Sequence, residues 1–186
     1  MLFTQTGFAG LIVVEPKVFD DDRGYFFEAF NHKLFSSEGI AVDFVQDNQS
    51  RSAYGVVRGL HYQKPPYAQS KLVRVLSGAI LDAAVDLRKG SPSFGKVFLI
   101  ELSAENKKQL FIPVGFAHGF SVISDTAEVL YKCDAFYNKQ SEGGIAYNDT
   151  DLAIDWGIPD KKRIVSEKDS LLPPFEAYAG AFAFSG

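Results

Sequence analysis

Cysteine is almost missing from this chain. Cys133 stands alone among 186 residues, so no intrachain disulfide can form and the fold must rest on packing. A single thiol of this kind reads as a small buried hydrophobe. An excess of positive charge is missing too. Nineteen Lys and Arg against 23 Asp and Glu leave a net charge of −4, with no basic tail or cluster. That excludes the electrostatic footprint of a nucleic-acid binder, although a few cations can still converge locally on an anionic small ligand. No apolar run is long enough to cross a bilayer. The first residues carry no basic stretch ahead of their short apolar run Leu11-Ile12-Val13-Val14, so they do not read as a signal peptide. The expected location is therefore the cytoplasm, with no membrane partner. No Gly-x-Gly-x-x-Gly fingerprint occurs, and no nicotinamide or other cofactor is expected.

What the chain has in quantity is aromatic residues. Seventeen Phe and eight Tyr help to bring the aromatic share to 14%, which favours strands and offers flat surfaces for planar ligands. Strand patterns dominate. They are read at Leu11–Val14, Lys71–Leu76, Ala79–Leu87, Lys96–Leu102, Gln109–Ile112, Gly119–Ile123 and Glu128–Tyr137, punctuated by Gly and Pro. Helix patterns are few: one or two turns at Asn31–Ser37, and another near Ser170–Tyr178 that Pro173-Pro174 would interrupt. The length suits one domain over residues 1–186. The expected fold class is all-β, a sandwich or barrel with few short helices. Spare sheet edges invite pairing, so a homodimer is expected.

Polar residues gather in four places. The first runs from Gln46-Asp47-Asn48 through Arg58-Gly59-Leu60-His61-Tyr62-Gln63 to Lys71. The others are Pro113-x-Gly115-x-x-His118, then Tyr131-Lys132-Cys133 with Tyr137, then Ser166-Glu167-Lys168-Asp169. Regular alternation would put Arg58 and His61 on opposite faces, but Gly59 permits a bulge that re-aims them. His32 falls outside these groups and reads as exposed.

Gly55, His61 and Gln63 are similar to the first cupin motif, and Pro113-x-Gly115-x-x-His118 resembles the second. Metal-binding cupins carry a His-x-His pair, a Glu and a further His. Here Gln63 replaces one His and residues 64–70 contain no Glu, so two of four ligands remain and no metal is expected. The scaffold implied is a cupin-like jelly roll. A closer resemblance covers nearly the whole chain. Asp22-Arg23-Gly24-Tyr25-Phe26-Phe27-Glu28, Gln46-Asp47-Asn48, Arg58 to Gln63, Tyr131-Lys132-Cys133 and Ser166-x-Lys168-Asp169 resemble the dTDP-4-dehydrorhamnose 3,5-epimerase family.

That resemblance implies proton exchange beside the ketone of a dTDP-linked 4-keto-6-deoxy sugar, a step of dTDP-rhamnose supply for cell-surface polysaccharide. Such chemistry needs a base on one face of the sugar, an acid on the other, and a cation near the enolate oxygen. By resemblance His61 is the base and Asp169 orients it. Tyr131 is the acid, and Lys71 sits near the ketone. Arg23, Arg58, Lys168 and His118 are phosphate contacts, with Arg23 crossing from a neighbouring subunit. Tyr137 stacks on the nucleobase, and Phe26, Glu28, Gln46, Asn48 and Glu142 contact nucleotide or sugar. Each residue also has a plainer reading, as a core tyrosine, a solvated strand lysine or a surface turn. A 3-only or 5-only epimerase on a dTDP- or GDP-keto-sugar, a metal-dependent cupin and a non-catalytic sugar-nucleotide binder remain alternatives.

Overall fold

The computed structural model describes residues 1–185. The strands run in chain order as β1 Leu2–Gln5, β2 Ile12–Glu15, β3 Phe19–Asp21, β4 Gly24–Phe26, β5 Gln46–Ala53, β6 Val57–Gln63, β7 Lys71–Ser77 and β8 Ala79–Asp86. They continue as β9 Arg88–Lys89, β10 Val97–Ser103, β11 Gln109–Ile112, β12 Phe116–Val122, β13 Thr126–Cys133, β14 Glu142–Gly144 and β15 Phe182–Ala183. The helices are short: α1 is His32–Ser37 and α2 is Glu167–Ser170.

Two antiparallel sheets carry the architecture. One has the order β1-β2-β11-β7-β13-β5 and the other β10-β8-β12-β6-β14. This is the all-β, cupin-like sandwich expected from the sequence. Three apolar layers hold it. The inner layer joins Val73, Val75, Val129 and Leu110 of the first sheet to Ile80, Phe120 and Val122 of the second. Outside the second sheet, Val57, Leu60, Val85 and Ala117 pack under Trp156 and the C-terminal segment. Outside the first, Ile12, Val14, Leu72 and Phe111 pack under Phe35 of α1. Strands covered on both faces lose the polar alternation, and every residue of β12 is buried.

The helices follow their local chemistry. Asn31 caps α1, its side chain accepting from the Leu34 amide at 3.1 Å. Ser166 caps α2, its hydroxyl accepting from the Asp169 amide at 3.1 Å. The helix expected at Ser170–Tyr178 is not formed as one element. Leu171 closes α2, and after the two prolines only a 3-10 turn at Phe175–Ala177 appears. The strand expected to reach Tyr137 stops at Cys133, because the Asp134 carboxylate turns away to accept from the Ser70 amide at 2.6 Å. Tyr131 and Tyr137 therefore do not share a strand face. The segment read only as a polar cluster, Gln46–Ala53, is an edge strand whose residues alternate between exposed and half-buried up to the buried Ser52.

Candidate active site

A bulge in the second sheet builds the site. Strands β6 and β12 pair His61 with His118 and Arg58 with Phe120, so the register slips by one between them. Gly59 makes this possible. Its φ is +115°, and a Cβ there would lie 2.6 Å from Gly119 Cα. Only glycine tolerates both the angle and the approach. The slip brings Arg58 and His61 to one cavity.

That inner cavity, about 290 Å³, is lined by Arg58, His61 and His118 from the second sheet, Lys71 and Tyr131 from the first, and Asp169 from α2. An outer cavity of about 660 Å³ shares His61, Lys71, Tyr131 and Lys168 with it and extends past Gln46, Asn48, Tyr137 and Glu142. The strands of the first sheet place Tyr131 opposite Val73 and Asn48, and Lys71 opposite Cys133, so these side chains all face inward.

His61 and Asp169, 108 residues apart, meet at 2.8 Å between Nε2 and Oδ1. An ionised carboxylate only accepts, so Nε2 carries the hydrogen and Nδ1 keeps the lone pair. Asp169 Oδ2 accepts from the Gly59 amide at 3.0 Å. Burial would raise the pKa of Asp169, but the His61, Gly59 and Ser166 hydrogen bonds outweigh it and hold the carboxyl below its ordinary value. Across the cavity, burial above all raises the Tyr131 phenol, with Cys133 adding to it, which keeps that phenol protonated. Burial lowers Lys71, against the opposing pull of Cys133 and Asp82. The Lys71 ammonium stands 5.8 Å from the centre of the Tyr131 ring.

At the mouth, Lys168 Nζ donates to both Glu142 oxygens at 2.8 and 2.9 Å. The Arg58 guanidinium donates to Ser52 Oγ at 3.0 and 3.1 Å. Gln46 accepts from the Tyr137 amide at 3.0 Å and donates to Asn48 at 3.0 Å. Tyr137 therefore reaches the cavity from a loop tied to β5 and stays half exposed.

Three expected contacts stand apart from these cavities. Arg23, Phe26 and Glu28 are exposed on or just after the β3–β4 hairpin, and Arg23 is ion-paired with Asp21. His118, expected as a phosphate contact, lines the inner cavity together with Arg58. It is 6% exposed, sits among the inner-cavity groups and bonds Asp82 Oδ1 through Nε2 at 2.8 Å. Burial is the main cause of its lowered pKa. Asp82 itself was not singled out from the sequence. The signal was present, since a carboxylate inside the apolar run Ala79–Leu87 must be buried and paired. Ser50 and Ser166 also line the inner cavity, and Tyr62 and Gln69 the outer one.

The cupin metal position does not fit these residues. Gln63, in place of the second His, spends its amide nitrogen on the Tyr67 and Phe136 carbonyls and its oxygen on the Asn138 amide. His61 and His118 each give Nε2 to an aspartate. Among the described residues no group of three or more His, Cys, Asp or Glu gathers to hold an ion.

A cupin-like sandwich with an imidazole and a phenol lining the same two cavities has the makings of an isomerase site. Comparison with known proteins makes the assignment specific. The family model for dTDP-4-dehydrorhamnose 3,5-epimerase matches residues 5–177. The dTDP-4-dehydrorhamnose 3,5-epimerase of Shigella flexneri is 53% identical over 166 residues, 89% of this chain and 91% of that protein. The crystal structure of the Legionella pneumophila 3,5-epimerase in complex with dTDP-4-keto-L-rhamnose superposes with a TM-score of 0.93 at 44% identity, covering 100% of this chain and 98% of that one. A 3'-monoepimerase from Streptomyces bikiniensis in complex with dTDP-quinovose gives 0.83 at 30% identity, covering 90% and 85%. This chain belongs to the dTDP-4-dehydrorhamnose 3,5-epimerase family.

Proposed function

We propose that the protein converts dTDP-4-dehydro-6-deoxy-D-glucose to dTDP-4-dehydro-L-rhamnose by inverting C3 and C5 of the sugar. The observation that carries the reading is the origin of the two proton-transfer groups. His61 comes from one sheet and Tyr131 from the other, and both line the same two cavities. A ring held between them meets a base on one face and an acid on the other, which inversion requires.

Each inversion breaks one C–H bond. The proton passes to His61 Nδ1, and the electron pair moves onto the ketone oxygen as an enolate. The Lys71 ammonium offsets that charge. The imidazolium is stabilised by Asp169, whose carboxylate stays ionised. The Tyr131 hydroxyl then gives its proton to the opposite face of the carbon and recovers one from solvent, to which the His61 imidazolium returns the proton it took. Arg58 and Lys168 suit the diphosphate, since both are cations at the cavity walls. Binding would draw Lys168 away from Glu142. Tyr137, with Gln46 and Asn48, suits the nucleobase. In this reading the chain works as a cytoplasmic homodimer, and the exposed Arg23 with Phe26 and Glu28 complete the site of a second subunit.

The test is proton NMR of the protein with dTDP-4-keto-6-deoxyglucose in deuterated water. Deuterium entering at both C3 and C5 is expected. Entry at C3 alone would assign a 3-monoepimerase activity, and no exchange by folded protein would overturn the substrate.

A further inference from the structure

A second aspartate–histidine pair lies under the inner cavity and reaches it through His118, and the proton transfers above do not use it. Asp82 is fully buried on β8, next to β12, and Oδ1 takes the His118 Nε2 hydrogen at 2.8 Å. Its other oxygen, Oδ2, is buried and has no hydrogen-bond partner among the described residues. An unpaired buried carboxylate oxygen is costly, and a nearby positive charge is what offsets it. His118 is the bonded partner of Asp82, and Lys71, from β7 of the opposing sheet, lines the cavity that His118 also lines. His61 lies beside His118 in the strand register, and its own aspartate is Asp169. Lys71 makes no ion pair of its own among the described residues, while Lys132, Lys168, Arg88 and Arg163 all do.

We propose that Asp82 is a positioning residue that fixes His118 as the tautomer with hydrogen on Nε2 and supplies the buried negative charge that keeps Lys71 an ammonium. The need is physical. Lys71 is partly buried between the sheets, and a desolvated lysine tends to lose its proton. A neutral amine would contribute little to an enolate oxygen. Two groups oppose the effect of burial on Lys71, Cys133 first and then Asp82, and burial keeps the Cys133 thiol protonated, which leaves Asp82 as the charge acting in the direction this role needs. A neutral His118 donating from Nε2 leaves Nδ1 as an acceptor and adds no competing positive charge to the cavity. The site would then hold two His–Asp pairs with separate duties. One moves protons, and the other sets the charge of its neighbour. The part of this inference that concerns turnover rests on the proposed epimerase reading. The part that concerns Lys71 does not.

The test begins with ligand-free protein carrying isotope-labelled lysine and histidine. In wild type, nitrogen NMR is expected to show His118 neutral at pH 7 with hydrogen on Nε2. The opposite tautomer or an imidazolium would overturn the proposal, and this arm needs no variant. In Asp82→Asn the Lys71 titration is expected to move to lower pH, and Asp82→Glu is expected to restore it. An unmoved Lys71 in folded Asp82→Asn protein would overturn the role. With dTDP-4-keto-6-deoxyglucose, kcat of Asp82→Asn is expected to fall about tenfold more at pH 9 than at pH 7, with KM little changed. An equal loss at every pH would indicate a merely structural aspartate. A shifted Lys71 in a protein that turns over no keto-sugar would sustain this inference and overturn the epimerase reading alone.

Discussion

Two buried carboxylates in this sandwich are built alike and end in different roles. Asp86, at the end of β8, receives two hydrogen bonds from the Arg88 guanidinium at 2.8 and 2.9 Å, plus the Ser91 and Ser93 hydroxyls at 2.6 and 2.7 Å. Arg88 is enclosed between the Phe116 and Phe184 rings, and its side chain is 12% exposed. Every acceptor site is used and the cation is fixed, so the cluster can only hold the C-terminal strand β15 against β9. Asp169 is bonded as tightly to His61, yet the His61 side chain is 41% exposed and its second nitrogen is unused. A saturated pair gives rigidity. A pair with one free valence at a cavity can act on a ligand.

This contrast can be broken in order of expected effect. His61→Ala should lower kcat by about 10³-fold with an unchanged melting temperature, measured by turnover of the keto-sugar and by calorimetry. Retained turnover would remove the base. Arg88→Ala should do the reverse. Leaving Asp86 buried without its cation should cost about 4 kcal/mol. The melting temperature should fall by about 10 °C, with kcat of the folded fraction intact. Asp169→Asn should fall between them, losing about 10²-fold in kcat because the His61 tautomer is no longer enforced.

A fourth test uses acid. Burial would raise the Asp86 carboxyl, but its Arg88 and Ser91 bonds outweigh this and hold it below the ordinary value. The stability it contributes is therefore present above the pKa of an unfolded aspartate. It is lost as the pH falls through the lower folded value. Urea midpoints for Asp86→Asn should be lower than wild type near neutrality, and the gap should narrow below about pH 4. A constant gap would sever the link to ionisation. The smallest effect is expected at the mouth. Lys168→Ala should raise KM severalfold with little change in kcat, since the side chain is largely exposed and already paired.

The sequence carried the sheets well where burial is one-sided or complete. Lys71 to Ser77 and Ala79 to Asp86 were legible because apolar runs met Gly78 at a turn. The edge strand Gln46–Ala53 was not, since an edge strand with a wet face carries almost no apolar period. His61, Asp169, Tyr131 and Lys71 were legible only through resemblance to a known family. Nothing in the spacing of residues 61 and 169 announces a 2.8 Å contact. The motif that holds His118 was visible in the sequence, and its partner was not. Asp82 sits 36 residues upstream on a neighbouring strand, and only the pairing of β8 with β12 brings them together.

The proposed base and acid, His61 and Tyr131, hang from different sheets, so the distance between them follows the thickness of the sandwich itself. Val73, Val75, Ile80 and Val129 help to set that thickness, and none of them lines either cavity. A volume change of one methylene in this layer would act like turning a screw between the jaws of a vice. Turnover would register the change before melting did, so the site requires a tightly packed interior for its accuracy as well as for its survival.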